Sequence, residues 1–269
     1  MSEAIYNYHL AGSIRKEIGD LRGYAFNLTN EAWVHMYMGD FDQSQQKTNF
    51  AKNILAKLED RQLLAWATSV KGYNLFYQQI FEESADLLVK ASELWQKSGN
   101  IIAHVTCRVM QVNILCAQQE NIRAKKLLLE TKSDLNEGIA GFNTYSYDYM
   151  FILCHLSEEN LEHHLDLAKR NIVDILEKGV MLYLPDFLEL TSSLLTGKGL
   201  FDNAVQLMAL SVRLRKERQI PVPPFRKTYH DSILTKLKSR LEPDKFKLNW
   251  NKGENLTPED CLTLIYLRG

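Results

Sequence analysis

The sequence predicts an all-α fold: a solenoid of stacked helix pairs, finished by a helical cap. Three observations carry this. Residues 18–100 contain an ungapped internal repeat, in which Asp20 falls on Asp60, Ala25 on Ala65, Trp33 on Tyr73, Tyr37 on Tyr77, Phe41 on Phe81 and Ala51 on Ala91. Each half holds two helical hydrophobic patterns separated by a polar turn. Glycines recur at multiples of the same 40-residue step, joining Gly19 to Gly99 and Gly179, and Gly39 to Gly199. A fixed period of this size is the signature of helix pairs that bury their apolar faces only by stacking on neighbours.

The elements follow in order. Residues 2–18 read as one amphipathic helix, stopped at Gly19-Asp20 by a glycine suited to a left-handed C-cap. It stands where the second helix of a pair should be. The chain therefore starts halfway through a hairpin, which we read as the second half of a truncated pair. Helices over 21–38 and 41–58 make the next pair, and further pairs begin near 61 and 101. Second helices are expected to start at Phe41, Phe81, Asn121, Leu161 and Phe201. Gly138-Ile-Ala-Gly141 should close a hairpin before an aromatic-rich helix over 142–156. Helices over 160–178, 181–196 and 200–218 follow, with Pro185 in a first turn, where proline is tolerated. The prolines of IPVPPF then break the pattern. Helices over 225–241, 243–252 and from Thr257 onward are expected, with Thr257 as N-cap and Pro258 at the first helical position. The organisation expected is therefore repeats over 1–219 and a helical cap over 220–269, since a solenoid needs atypical end units.

Composition agrees with a folded, water-soluble chain: 45% of residues are apolar and 24% charged, with only six prolines. A net charge of −1 gives the whole molecule no strong pull toward nucleic acid or membrane. The charge is uneven, however. Residues 198–252 hold 13 Lys and Arg against five Asp and Glu, which leaves the rest acidic. The four cysteines form no CxxC and fall in apolar helical patterns, as buried thiols in a reducing compartment would. Residues 1–20 lack the apolar core of a signal peptide, and no apolar run nears the roughly 18–20 residues of a membrane span. A cytoplasmic location is the expectation.

The repeats resemble tetratricopeptide repeats in a longer form. Ala32 and Gly72 supply the small residue near the centre of the first helix, and Gly39-Asp40-Phe41 stands where that motif has its Gly-Asp-Tyr turn. Glu31 and Lys71 depart from the pattern, occupying a position the motif usually fills with leucine. The C-terminal stretch is similar to the tail of large bacterial signalling ATPases, including LuxR-type transcriptional regulators. The likeness is carried by Gly199, Ala204, Pro223-Pro224, Phe246, Trp250, Gly253, Leu256-Thr257 and Glu259. The resemblance implies a right-handed superhelix and a sensor or scaffold arm, without the ATPase or DNA-binding module.

No catalytic, cofactor or metal constellation is evident. Thr196-Gly197-Lys198-Gly199 lacks the upstream glycine of a P-loop and follows a helix rather than a strand. His163-His164 would point about 100° apart on a helix and so would not converge on one ion. Cys154-His155 reads as packing, and Glu158-Glu159 as acidic residues at a helix start. We therefore expect a non-catalytic protein that needs no cofactor.

Two surfaces remain as candidates. In tetratricopeptide repeats the first helices line the inner groove. If Ala32 and Gly72 mark the close helix contact, the groove side carries Phe26, Trp33 and Met36, then Trp66, Tyr73 and Phe76, with Asn113 able to hold a peptide backbone. Such residues dominate binding hot spots; the plainer reading is that they pack between helices. The second surface is the basic run Arg213, Arg215, Lys216, Arg218, Arg226 and Lys227. The sequence thus favours a scaffold binding a protein, a peptide or another domain of its parent, with no membrane partner. The alternative is a nucleic-acid-binding regulator acting through the basic segment, for which no recognition motif is present.

Overall fold

The computed structural model describes residues 2–135, 142–156 and 160–266. Among these the chain is helical without strands. The elements are α1 (Ser2–Glu17), α2 (Leu21–Tyr37), α3 (Phe41–Lys57), α4 (Arg61–Tyr77), α5 (Phe81–Lys97), α6 (Ile101–Ala117), α7 (Asn121–Lys132), α8 (Phe142–Cys154), α9 (Leu161–Lys178), α10 (Leu184–Gly197), α11 (Phe201–Arg218), α12 (Pro224–Arg240), α13 (Pro243–Glu254) and α14 (Cys261–Tyr266). Packing is consecutive, as in a solenoid: each helix from α1 to α6 lies on the next, and α2, α4 and α6 also touch one another in turn. The same holds for α9, α10 and α11, with α13 and α14 packed on α11.

Within each 40-residue pair the helices follow one another at the expected step of 20. Helices α2 to α6 are each 17 residues long and start at 21, 41, 61, 81 and 101. Helices α1 to α6, α9, α10 and α11 are each followed by a residue in the left-handed conformation: Gly19, Gly39, Glu59, Gln79, Gly99 and Gln119, then Gly179, Gly199 and Gln219. The following N–H bonds back to a carbonyl five residues earlier, from Asp20 to Arg15 (2.8 Å), Asp40 to His35 (2.9 Å) and Ile80 to Leu75 (2.9 Å), for example. This is the Schellman closure, and it satisfies carbonyls the helix would otherwise strand. The next helix is often capped at once. The carboxylates of Asp20 and Asp60 accept from the N–H of Gly23 (2.8 Å) and Leu63 (2.9 Å), and Asn100 accepts from Ala103 (3.0 Å).

Three of these left-handed positions in the N-terminal half hold an exposed side chain rather than glycine: Glu59, Gln79 and Gln119. An L-residue there costs roughly 1–2 kcal/mol, partly offset by the extra freedom glycine has when unfolded. Changing all three to Gly should stabilise the N-terminal helices by about 1–3 kcal/mol in total, seen as a raised urea midpoint. A lowered midpoint would show that these side chains stabilise the turns by some other contact.

The chain divides into two compact units, residues 1–143 with Pro223–Phe225, and residues 144–222 with 226–269. The core of the first unit runs through Met36, Ala65, Tyr73, Phe76, Leu88, Ala91, Trp95, Cys107 and Ile114. Gly72 is its close contact: a Cβ there would stand 3.0 Å from Leu88 of α5, and the Gly72 carbonyl accepts from Ser84 (2.7 Å). Glu31, out of place against the repeat motif, is buried on α2. It pairs with Lys47 of α3 at 2.5 Å and lies 3.8 Å from His9 of α1.

In the second unit, Gly253 of α13 meets α11 backbone to backbone. Helix α14 starts later than expected. Thr257 and Asp260 form a reciprocal capping pair, with Thr257 N–H on the Asp260 carboxylate (2.7 Å) and Asp260 N–H on the Thr257 hydroxyl (3.2 Å). Tight i→i+3 turns over 257–263 come before the α-helix settles. The expected turn at Gly138–Gly141 and the pair Glu158-Glu159 lie outside the described residues.

Candidate functional site

The first helices of the N-terminal pairs share one aromatic face. Trp33 on α2 sits at its centre, with ring centroids 5.1 Å from Tyr37, 5.0 Å from Trp66 and 5.4 Å from Tyr73. Tyr37 lies 5.9 Å from Tyr77. The Trp66 indole N–H donates to the Asn30 side-chain oxygen at 3.2 Å, which fixes the ring across the α2–α4 seam. These contacts exist because the 40-residue step brings each aromatic of α2 beside its counterpart on α4, and edge-to-face pairs favour that spacing.

The groove candidates separate by exposure. Phe26 is 38% exposed, and Trp33 and Trp66 are half-buried at the surface. Met36, Tyr73 and Phe76 are 3% exposed or less and belong to the core, so they back the face rather than present it. Asn113 is also buried and donates to the Val109 carbonyl of its own helix (3.0 Å), so its amide does not face outward for a peptide. The half-buried residues of α2 on the side that meets Trp66, Tyr73 and Tyr77 are Asn30, Trp33 and Tyr37, and Trp66 and Tyr77 of α4 and Thr106 and Met110 of α6 are half-buried as well. Phe26, Trp33 and Trp66 thus lie at the surface as expected, whereas Met36, Tyr73, Phe76 and Asn113 are buried. Tyr37 and Tyr77 were missed as surface residues, although their match across the repeat was visible.

Beneath this face the core carries a short polar chain. The Trp95 indole N–H donates to the Ser69 hydroxyl (2.9 Å), which lies 3.4 Å from the Cys107 sulfur, with the Tyr73 hydroxyl 3.6 Å from that sulfur. Burial pushes the Cys107 thiol up, against the lowering effect of its Ser69 and Tyr73 hydrogen bonds. The thiol is protonated at neutral pH and is no nucleophile.

The basic candidates in the second unit do not form one patch. Arg215 is buried, its guanidinium donating to Glu189 (2.7 Å) and Asp186 (2.6 Å) on α10. Arg226 pairs with the other Asp186 oxygen (2.5 Å) and lies over the Tyr149 ring, 4.2 Å from its centroid. His230 faces Glu189 at 3.2 Å. Burial pushes the carboxyls of Asp186 and Glu189 up, but Arg226 and Arg215 on the first, and His230 and Arg215 on the second, hold both below their ordinary range. Arg213 binds Glu217 (2.7 Å) and the Leu256 carbonyl. Lys216, Arg218 and Lys227 are exposed. Nothing in the residue types distinguished Arg215 and Arg226 from the exposed cations; their acidic partners on α10 do.

His163 is exposed and His164 buried, and His155 bonds the Phe151 carbonyl of its own helix (2.7 Å). Among the described residues no helix is long and apolar enough to cross a membrane.

No protein-family model matches this chain. No curated protein matches it either. Among solved structures it is similar to the crystal structure of BtubC (BKLC) from P. vanneervenii, at a TM-score of 0.56 and 12% identity, over 82% of this chain and 93% of that one. At that identity the likeness shows a shared helical, repeat-like fold and nothing further.

Proposed function

We propose that this chain is a non-catalytic, tetratricopeptide-like scaffold that captures a protein or peptide on the aromatic face of α2 and α4. One observation carries the reading: the cluster of Phe26, Trp33, Tyr37, Trp66 and Tyr77, half-buried or exposed, on helices that the repeat sets side by side. Large rings held rigidly by their neighbours offer apolar area at little entropic cost, which is how such surfaces gain affinity. The resemblance of the tail to signalling ATPases and LuxR-type regulators suggests that the scaffold serves as a regulatory arm of such a protein.

The test is a displayed random-peptide selection on the purified chain, with the Trp33→Ala/Trp66→Ala variant as counter-target. Selected peptides should lose at least tenfold in affinity on the variant while its helical circular dichroism is kept. Peptides that bind both proteins equally would discard this face as the site.

A further inference from the structure

The 40-residue step that repeats the aromatic face also repeats a groove on the outer side of the same helices. Between α5 and α7, across α6, lies a cavity of about 470 Å³, lined among others by Val89, Gln111 and Glu130. Forty positions earlier these three places hold Asn49 of α3, Lys71 of α4 and Lys90 of α5. Lys71 follows Trp66 by five residues, about 140° around α4, so this groove looks away from the aromatic face.

The α4 position changes character from repeat to repeat. Its counterpart Glu31 is buried but answered by the Lys47 ammonium at 2.5 Å, and its counterpart Gln111 is neutral. Lys71 is half-buried, and its ammonium donates to the side-chain oxygen of Asn49, a neutral partner, at 3.1 Å. Lys52, one turn after Asn49 on α3, is half-buried as well. Burial first, then the ammoniums of Lys71 and Lys90, push its amine below the ordinary value. Among the described residues no carboxylate pairs with any of these three lysines. Asp86 and Glu93, a turn to either side of Lys90 on α5, do not reach it. Like charges gathered where water is partly excluded repel one another and cost stability. The fold carries that cost at this repeat and at neither neighbour, and an incoming negative charge would relieve it.

We propose that the outer groove of α3, α4 and α5 is an anion site, and that Lys52, Lys71 and Lys90 hold a small ligand bearing two linked phosphates. This is independent of the scaffold reading and uses none of its residues. Lysine ammoniums are compact charges with rotatable donors, suited to phosphate oxygens. One phosphate monoester brings about two negative charges at neutral pH, too few to answer three cations, whereas two linked phosphates suffice. A groove the size of its neighbour holds a small molecule.

The experiment titrates inorganic pyrophosphate calorimetrically into the full chain in 150 mM NaCl without divalent metal. Lys52→Met with Lys71→Leu should weaken binding at least tenfold. Lys216→Met with Lys227→Met, which removes two exposed cations from the second unit, should leave it unchanged. Orthophosphate should bind at least fivefold more weakly than pyrophosphate. Without ligand, Lys71→Leu should raise the urea midpoint of the first unit; saturating pyrophosphate should raise the midpoint of the unchanged chain but not that of the double variant. If Lys71→Leu does not fold, Lys71→Gln, the residue present at position 111, replaces it with the same expectations. No binding at 1 mM pyrophosphate, equal losses in the two double variants, or orthophosphate binding as tightly as pyrophosphate would overturn the assignment. A lowered midpoint for ligand-free Lys71→Leu would overturn it too, because the ammonium would then already be satisfied.

Discussion

Replacing Arg215 with leucine should cost the second unit about 3–5 kcal/mol, because it strands buried carboxylates without their shared cation. Glu189 is 3% exposed and Arg215 6%, so water cannot take over the lost contacts. Asp186 keeps Arg226, but Glu189 keeps only His230 and the Ser211 hydroxyl, which donates to it at 2.9 Å. Removing both partners, as Arg215→Leu with Glu189→Leu, leaves the Asp186–Arg226 pair balanced. The double variant should then lie closer to the unchanged chain than the single one does.

Acid should bring Arg215→Leu closer to the unchanged chain. Asp186 and Glu189 titrate below their ordinary values in the folded chain. Their contribution is therefore present above the unfolded values of about 4, and is lost as pH falls through the depressed folded ones. In Arg215→Leu the stranded Glu189 gains a proton more readily when folded, so its penalty should shrink between pH 7 and pH 4. Hydrogen exchange of peptides from α10 and α11, measured in urea at both pH values, reports this directly. A single variant as stable as the unchanged chain at pH 7 would remove the network from the account.

Gly253→Ala should destabilise the tail as sharply as Gly12→Ala stabilises the N-terminal helix, although both glycines stand inside helices. In a helix interior alanine is preferred over glycine by about 1 kcal/mol. At Gly12 the new Cβ would meet nothing nearer than 3.5 Å, so that preference is gained. At Gly253 it would stand 2.3 Å from the Gln206 carbonyl oxygen, 2.7 Å from the Gln206 Cα and 2.8 Å from the Ala209 Cβ. Two of these are backbone atoms of α11, which cannot turn aside as a flexible side chain would. Helix α13 must lift, stretching the Gln206–Asn249 hydrogen bond of 3.2 Å beside it. An overpacking cost of about 1–3 kcal/mol is expected for alanine and more for leucine. Exchange protection in α13 should fall while that in α2–α6 is kept; unchanged protection in α13 would contradict the contact.

The helices themselves were legible because their signals are local. Glycines at 19, 39, 99, 179 and 199 and aspartates at 20, 40 and 60 punctuate the chain at the positions where helices end and begin. What the sequence did not advertise is the left-handed turn at Glu59, Gln79, Gln119 and Gln219, which take it without glycine. The aromatic face was legible as a cluster but not residue by residue, since one residue on a helix turns a side chain by about 100°. That rotation decides between Met36 in the core and Tyr37 at the surface. Arg215 could not be told from an exposed arginine, because its burial depends on Asp186 and Glu189, 26 or more positions away.

The central claim is that a partner is held on the α2–α4 aromatic face, and the four tryptophans of the chain test it. Trp33 and Trp66 lie on the face, Trp95 is buried with its indole N–H on Ser69, and Trp250 stacks on Phe246 in the second unit. Each gives one indole N–H resonance in a 15N-labelled sample. Saturation with a selected peptide should move the Trp33 and Trp66 resonances and leave that of Trp250 in place. A peptide that binds while both face resonances stay still would contradict the account.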